Sequence, residues 1–213
     1  IIVSISPSKP STVYAMMESS SSGLYRSDDR GESWTKTSNA VSVTARPFYF
    51  AQLVVDPINP DRVYRPSFQL GMSEDGGKTF NGFNYGGGTH PDHHALWIDP
   101  ENTQHLLLGT DGGVYRSYDR GVTWSMFRNL PLAQFYRISH DFEEPYNVFG
   151  GLQDNGSWMT PNKIPGGGGI QNRDWSPTGW GDGFVVLRDR VNKEIDRKST
   201  RLNSSHLVIS YAV

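Results

Sequence analysis

The chain has 213 residues, a formal net charge of −2, no cysteine and 23 glycines. This length is sufficient for one large domain or for part of a larger one. The near-neutral charge, without a basic run, argues against nucleic acid as the main partner. The lack of cysteine excludes disulfides and thiolate metal sites, and no apolar run approaches the roughly 18 residues that a membrane span needs.

The first residues, IIVSISPSKP, contain no initiator methionine, no basic segment and no signal peptide. A chain that opens in this way is typical of the interior of a longer protein. We therefore expect any targeting segment to lie outside this sequence.

A short motif recurs three times along the chain. The pattern S-x-D-x-G-x-[ST]-[WF] occurs at 27–34, 73–80 and 117–124, and its aspartates lie 46 and 44 residues apart. A second marker keeps similar spacing: SISPSKPSTVY, VVDPINPDRVY, WIDPENTQHLL and SHDFEEPYNVF each read as a strand, a polar turn and another strand. Repeats of this length built from four short strands are typical of propeller blades.

The strands can be placed most clearly in the third repeat. The segments HALWID, HLLLGT, GVYRSY and TWSMFR are predicted as its four successive strands, and helical periodicity is absent throughout. The predicted fold class is all-β, a β-propeller fragment occupying residues 1–195. We predict blades at about 1–40, 41–85, 90–130 and 131–165, with a fifth beginning near 180. Because an open ring leaves strand edges unpaired, we expect further blades of the same chain as partners.

The recurring motif resembles the Asp-box, or BNR, repeat of sialidases, xyloglucanase-type glycoside hydrolases and sortilin (VPS10) proteins. The segments HHALWIDP, LLLGTDGGVYRSYDRGVTW and GGLQDNGSW are most similar to bacterial sortilin-N-terminal-like and BNR-like proteins. The resemblance covers residues 1 to about 190. It implies a propeller, and we expect a secreted or periplasmic location. It does not fix an activity, because the same repeat serves enzymes and binding proteins.

The last 18 residues, 196–213, share no pattern with the rest of the chain. DRKSTRLNSSHLVISYAV resembles the translated read-through of a short-read sequencing adapter, and the alternative is a genuine polar tail. The prediction of function therefore rests on residues 1–195.

Each copy of the motif is predicted to form the tight turn between the third and fourth strands of a blade. Its aspartate is expected to accept hydrogen bonds from N–H groups of the turn, its glycine supplies a positive φ, and its aromatic ring packs beneath. A residue set repeated in several blades does not mark a unique active centre. The residues with a predicted structural role are Asp29, Trp34, Asp75, Phe80, Asp119 and Trp124.

The opposite ends of the blades are predicted to surround a channel mouth. The turns between second and third strands and the connections between blades meet there, and they carry acids and aromatic rings suited to a glycan or a peptide. The predicted ligand-binding residues are His90, Asp92, His93, Tyr49, Trp175 and Trp180, beside His94 and Phe48. The candidate catalytic residues are Asp182, Asp154 and Asp111.

Simpler interpretations apply to several of these residues. Asp111 and Asp154 stand in DGG and DNG, which are ordinary turn sequences. The segment HPDHH suits a metal ion, but adjacent His93 and His94 would point to opposite faces of a strand, so neither a metal site nor a cofactor is predicted.

Three functions remain open from the sequence alone. The main hypothesis is a propeller that binds a glycan or a peptide at the channel mouth without turnover. The alternative is a glycoside hydrolase in which Asp182, paired with Asp154 or Asp111, supplies the acid and the base or nucleophile. The third is a purely structural propeller within a larger secreted enzyme.

Overall fold

The computed structural model describes residues 1–45, 49–50, 52–81, 88–130, 132–191, 195–199 and 207–211. The chain divides into two compact units, unit 1 at Ile1–Arg128 and unit 2 at Asn129–Val213. Regular structure in the described residues is almost entirely antiparallel β-sheet. None of the helices among these residues is long and apolar enough to cross a bilayer.

The first sheet of unit 1, sheet A, has the strand order β1-β2-β3-β4, so that each strand pairs with the next along the chain. Its strands are β1 (Ile2–Ile5), β2 (Val13–Met17), β3 (Gly23–Ser27) and β4 (Thr35–Ser38). In β2 the alternate residues Tyr14 and Met16 are fully buried, which follows from the two-residue period of a strand.

Sheet B follows a single helical turn, α1 (Val41–Thr44). The sequence analysis did not predict this turn, because it found no helical periodicity. Its strands are β5 (Val54–Val55), β6 (Val63–Arg65) and β7 (Gly71–Ser73), in that order. The predicted position of a fourth strand, after Phe80, runs into residues 82–87, which lie outside the described part of the chain.

Sheet C completes unit 1 and again has sequential neighbours, in the order β11-β10-β9-β8. Its strands are β8 (His93–Ile98), β9 (Leu106–Thr110), β10 (Gly113–Ser117) and β11 (Ser125–Met126). They coincide within one or two residues with the four strands predicted for the third repeat. Because β10 has a tight turn at each of its ends, the turn at 111–112 and the turn at 119–122 lie at opposite ends of the sheet.

The core of unit 1 consists of two apolar clusters, one on each face of sheet B. Consecutive residues Val63 and Tyr64 of β6 contribute to different clusters because neighbouring side chains leave a strand on opposite faces. The cluster shared with sheet A contains Tyr14, Met16, Leu24, Val43, Leu53, Val55 and Val63. The cluster shared with sheet C contains Tyr64, Leu70, Met72, Leu96, Ile98, Leu106, Leu108 and Tyr115. Each fully buried large apolar side chain stabilises this packing by about 1.5–3 kcal/mol.

Arg65 is fully buried at the end of β6 and ties three segments of main chain together. Its Nε donates a hydrogen bond to the Val43 carbonyl at 3.1 Å, and its Nη1 donates to the carbonyls of Gln52 and Pro66. Burial lowers the pKa of Arg65 to about 10, so the group stays charged at neutral pH. The side-chain Oε1 of Gln52 accepts the N–H of Leu96 at 2.7 Å, which extends the linkage to β8.

Unit 2 contains sheet D, in the order β12-β13-β14-β15, and the three-stranded sheet E, in the order β16-β17-β18. The strands of sheet D are β12 (Arg137–His140), β13 (Asn147–Gly151), β14 (Ser157–Pro161) and β15 (Ser176–Gly179). Those of sheet E are β16 (Val185–Arg188), β17 (Ile195–Ser199) and β18 (Leu207–Tyr211). β15 lies between the fourth predicted blade, which ends at about 165, and the fifth, which begins near 180. It pairs with β14 and is therefore a strand of sheet D rather than part of a connection between blades.

The three S-x-D-x-G motifs form turns that share the hydrogen bonds of the serine hydroxyl and of the aspartate carboxylate, and we call these the Ser–Asp turns. In the third, the buried Ser117 hydroxyl donates to Asp119 Oδ1 at 2.7 Å and accepts the Gly121 N–H at 2.7 Å. Asp119 Oδ1 also accepts the Thr123 N–H at 2.8 Å, and the Trp124 indole N–H donates to the Gly121 carbonyl at 2.9 Å. Gly121 has a φ of 89°, a conformation that favours glycine.

Candidate functional site

In unit 1, the turn containing Asp111 lies beside the segment that enters β8. The N–H of Asp111 donates to the Asp92 carbonyl at 3.2 Å, and the N–H of Asp92 donates to the Phe68 carbonyl at 3.0 Å. Asp92 itself has a φ of 60°, which is uncommon for a residue other than glycine. The structure thus brings together Asp92 and Asp111, which the sequence assigned to one end of the blades.

His94 extends this group toward two aromatic rings. Its Nε2 lies 2.9 Å from Asp111 Oδ1, so the carboxylate orients the imidazole. The Tyr49 ring packs edge-on against His94 at 5.1 Å between centroids, and the Phe50 ring lies at 5.4 Å. Tyr49 is 39% exposed, and these contacts leave an acid, an imidazole and a phenol at the surface of unit 1. Phe48, predicted beside them, lies outside the described residues.

His93, predicted to bind ligand at the surface, is instead fully buried. Its Nε2 lies 3.0 Å from both the Thr89 hydroxyl and the His90 carbonyl, so the ring is held by neighbouring residues of its own segment. Burial lowers the pKa of His93 to about 4, and the ring is neutral at physiological pH. The neighbour His94 takes the surface position, because adjacent residues of β8 point to opposite sides.

His90 is held firmly against the Asp111 turn. Its N–H donates to the Tyr115 hydroxyl at 3.1 Å, and its Nδ1 lies 3.1 Å from the Pro91 carbonyl. A Cβ on Gly112 would overlap the His90 ring, so glycine is needed for the ring to pack there. The imidazole is half-buried, which leaves His90 at the margin of the surface group.

In unit 2, two loops are joined by their main chains, and we call residues 152–156 and 180–183 the loop pair. Gly183 N–H donates to the Leu152 carbonyl at 2.8 Å, and Gly156 N–H donates to the Gly181 carbonyl at 2.8 Å. A side-chain bond joins the loops as well, because Asp182 Oδ1 accepts the Asp154 N–H at 3.1 Å.

Glycines make this approach of the two loops possible. A Cβ on Gly156 would lie 2.7 Å from the Gly179 carbonyl oxygen, and one on Gly183 would overlap the Gly156 carbonyl oxygen. Any side chain at these two positions would therefore separate the loops. Asp154 adopts a φ of 58°, a turn conformation that aspartate tolerates better than most residues.

The loop pair presents Trp180 to solvent, with 77% of the side chain exposed. Trp175 has a different environment, since its half-buried ring stacks on Phe135 at 5.6 Å between centroids with an interplanar angle of 23°. The stacking contact fixes Trp175 at the start of β15. Of the two tryptophans predicted to bind ligand, Trp180 is the more exposed.

Gln153 is a residue of the loop pair that the sequence analysis missed. Its Oε1 accepts a hydrogen bond from the Tyr136 hydroxyl, and Tyr136 packs against Phe184 at 4.5 Å between centroids. The signal was present in the run LQDNGS, where an amide precedes the turn aspartate. The sequence analysis selected only Asp154 in this run, because carboxylates act in catalysis more often than amides do.

The architecture of these sheets defines an all-β chain of the propeller class. No family model matches the chain. The chain is 28% identical over 151 residues to the xyloglucanase Xgh74A of Acetivibrio thermocellus; the match covers 60% of this chain but only 18% of the relative. The solved GH74 enzyme of Niastella koreensis superposes with a TM-score of 0.52 at 17% identity, over 93% of this chain and 33% of that one.

These similarities confirm the predicted fold class, an all-β propeller fragment. They also relate the chain to propellers of the glycoside hydrolase type. The chain spans about a fifth of the length of the curated relative. The similarity is therefore one between blades, and it leaves the activity of the whole protein open.

Proposed function

We propose that this chain is part of a carbohydrate-binding propeller and that the loop pair of unit 2 contacts the glycan. The observation that carries the proposal is the exposure of Trp180 on a loop whose backbone is bonded to its neighbour. A large ring at 77% exposure buries little apolar surface in the core. Such exposure on a rigid support favours a role in binding.

The chemistry of the loop pair suits a sugar. The faces of pyranose rings carry C–H groups that pack on an aromatic ring, while their hydroxyls need donors and acceptors at the edge. Trp180 supplies the ring, and Gln153, Asp154 and Asp182 supply polar groups on the same two loops. Because the loops are already ordered by main-chain hydrogen bonds, little conformational entropy is lost on binding.

The relatives indicate which glycan to test first. The curated relative is named a xyloglucanase, so xyloglucan oligosaccharides are the natural first ligand. A protein that binds a polysaccharide of this kind meets it outside the cytoplasm, and we propose an extracytoplasmic location. The Ser–Asp turns, with their shared hydrogen bonds, further support assignment of the repeats as Asp-boxes.

We do not favour the hydrolase alternative for these residues. Hydrolysis needs one carboxyl group as acid and a second as base or nucleophile, both facing the scissile bond. Asp182 Oδ1 accepts the N–H of Asp154 and thereby holds the loop, which accounts for this carboxylate without a catalytic role. The observations on the loop pair therefore favour binding over turnover.

The decisive experiment measures the affinity of the full chain for a xyloglucan oligosaccharide by calorimetry. Stacking on an exposed tryptophan contributes about 1–2 kcal/mol, so Trp180→Ala is expected to weaken binding about 5-fold to 30-fold. Trp180→Phe keeps a ring and is expected to retain most of the affinity. Trp97→Ala removes an exposed tryptophan of unit 1, 46% exposed, and serves as the matched control.

Two outcomes would reject the proposal. The first is equal affinity of Trp180→Ala and the wild type, which would remove the ring from the site. The second is a peptide that binds at the loop pair in preference to every glycan tested, with an affinity that Trp180→Ala lowers, which would favour the peptide hypothesis instead.

A further inference from the structure

A second surface of unit 2 carries features that carbohydrate binding does not use. It lies at the turn between β12 and β13, whereas residues 152–156 of the loop pair join β13 to β14. Because the two turns leave β13 at its opposite ends, this surface lies at the other end of sheet D from residues 152–156.

The acidic residue of this turn has a structural role. Asp141 is buried, and its carboxylate accepts the N–H of Glu143 at 3.2 Å and the N–H of Asn147 at 2.8 Å. The equivalent turns of sheets B and C use Asp56 and Asp99, whose carboxylates accept N–H groups two and three residues further on. The Asp141 carboxylate therefore stabilises the turn itself.

The residue that follows the aspartate is unusual in unit 2. Pro57 and Pro100 follow the aspartates of the unit 1 turns, whereas Phe142 follows Asp141. The Phe142 side chain is 72% exposed. The turn forms with proline at this position elsewhere in the chain, so its geometry does not demand an aromatic ring, and an exposed phenylalanine lowers solubility without stabilising the fold.

Phe142 belongs to a small pocket with three rings. The His140 ring lies 5.6 Å from Phe142 and 5.6 Å from Tyr146, between centroids, at interplanar angles of 71° and 59°. Together with Asp141 and Glu143 these rings line a pocket of about 380 Å³, near the lower end of the range for ligand sites. Rings beside carboxylates create a negative electrostatic potential, which attracts cations.

A cation of the chain already lies on one of these three rings. The guanidinium carbon of Arg190 lies 4.8 Å from the centroid of the Phe142 ring, within the range of a cation–π contact. Arg190 is exposed and follows the end of β16, so it lies on a short surface segment rather than in a packed core.

We propose that this pocket binds an arginine side chain of a partner peptide, and that Arg190 occupies the Phe142 ring until the peptide displaces it. The charge complementarity between a guanidinium and the ring-and-carboxylate lining supports this occupant. A guanidinium is more weakly hydrated than an ammonium group and stacks on aromatic faces, which favours arginine over lysine. The site is separate from Trp180 and does not depend on glycan binding.

The test is a nuclear magnetic resonance titration of the isotope-labelled full chain with the peptide acetyl-Gly-Arg-Gly-Arg-Gly-amide. The matched probe replaces both arginines with citrulline, which has nearly the same shape and no charge. We expect the arginine peptide to shift signals of the β12–β13 turn and the citrulline peptide to leave them unchanged. Equal shifts with both peptides would overturn the proposal, as would the absence of any shift with the arginine peptide.

Two variants distinguish this pocket from general electrostatic attraction. Phe142→Leu keeps an apolar side chain and is expected to weaken binding about threefold to tenfold, since only the π face is lost. Arg190→Gln removes the guanidinium group that lies on the Phe142 ring and is expected to strengthen binding of the arginine peptide about threefold. Arg173→Gln removes a positive charge that does not line the pocket and is expected to leave affinity unchanged.

Two results with these variants would reject the proposal. If Arg173→Gln strengthens binding as much as Arg190→Gln, the effect is one of net charge, and the proposed displacement is wrong. If Phe142→Leu binds as tightly as the wild type, the ring is not part of the site. Circular dichroism of each variant verifies that the fold is retained, and Phe142→Pro, which restores the residue of the unit 1 turns, is a second ring-free variant that is expected to fold.

Discussion

Replacement of Ser117 by alanine removes a single hydroxyl that organises the third Ser–Asp turn. The hydroxyl is 2% exposed, donates to Asp119 at 2.7 Å and accepts the N–H of Gly121 at 2.7 Å. Without it the Gly121 N–H stays buried and unpaired, which costs about 1–3 kcal/mol. We expect the free energy of unfolding to fall by about 2 kcal/mol, because the exposed part of the turn regains some bonds to water.

Urea denaturation followed by tryptophan fluorescence measures this loss, and the slope of the transition should be unchanged because the same surface unfolds. Ser125→Ala is the matched control, since it removes a hydroxyl from an exposed position of β11 and is expected to change stability by less than about 0.5 kcal/mol. If Ser117→Ala costs no more than Ser125→Ala, the turn does not contribute to stability in the way described.

Two further predictions concern the turns and the loops. Hydrogen bonds from the Thr123 hydroxyl, and to a lesser extent from the Thr123 N–H, lower the pKa of Asp119 to about 2 from the ordinary 3.8. The stabilisation that these bonds provide is present above about pH 4 and is lost as the pH falls through about 2. The melting temperature of the wild type should therefore fall more steeply over this range than that of Asp119→Asn. Gly183→Ala places a methyl group against the Gly156 carbonyl and should lower both glycan affinity and thermal stability. Gly168→Ala is the control, because the nearest atom to its methyl group is a side-chain atom 3.9 Å away, and it should change neither quantity. Equal behaviour of the two variants in calorimetry would contradict the close contact between the loops.

The sequence was most informative where structure depends on local rules. The strands of sheet C were predicted within one or two residues, because the alternation of apolar side chains and the turn glycines are both properties of neighbouring residues. The same rules left β15 outside the predicted blades. Pro177 and Gly179 read as loop residues, but β15 is the last strand of sheet D, and an edge strand tolerates proline because its outward N–H has no partner to lose.

The candidate sites were less predictable because they depend on contacts between distant segments. Alternation along β8 indicates that His93 and His94 point in opposite directions, but only the packing of sheet B against sheet C decides that His93 is buried. The glycines of the loop pair read as turn formers. Their closer role, which is to let two main chains touch, becomes visible only when residues 152–156 and 180–183 lie side by side.

The main-chain bonding of the loop pair has a consequence for protein engineering. Glycines and backbone amides define the spacing of the two loops, so most of the side chains that point outward are not needed to keep it. The exposed position of Trp180 can therefore be varied in a display library while the main-chain bonds between the loops persist. A scaffold of this type separates changes in binding specificity from changes in folding, so selection for a new ligand can proceed with little loss of stability.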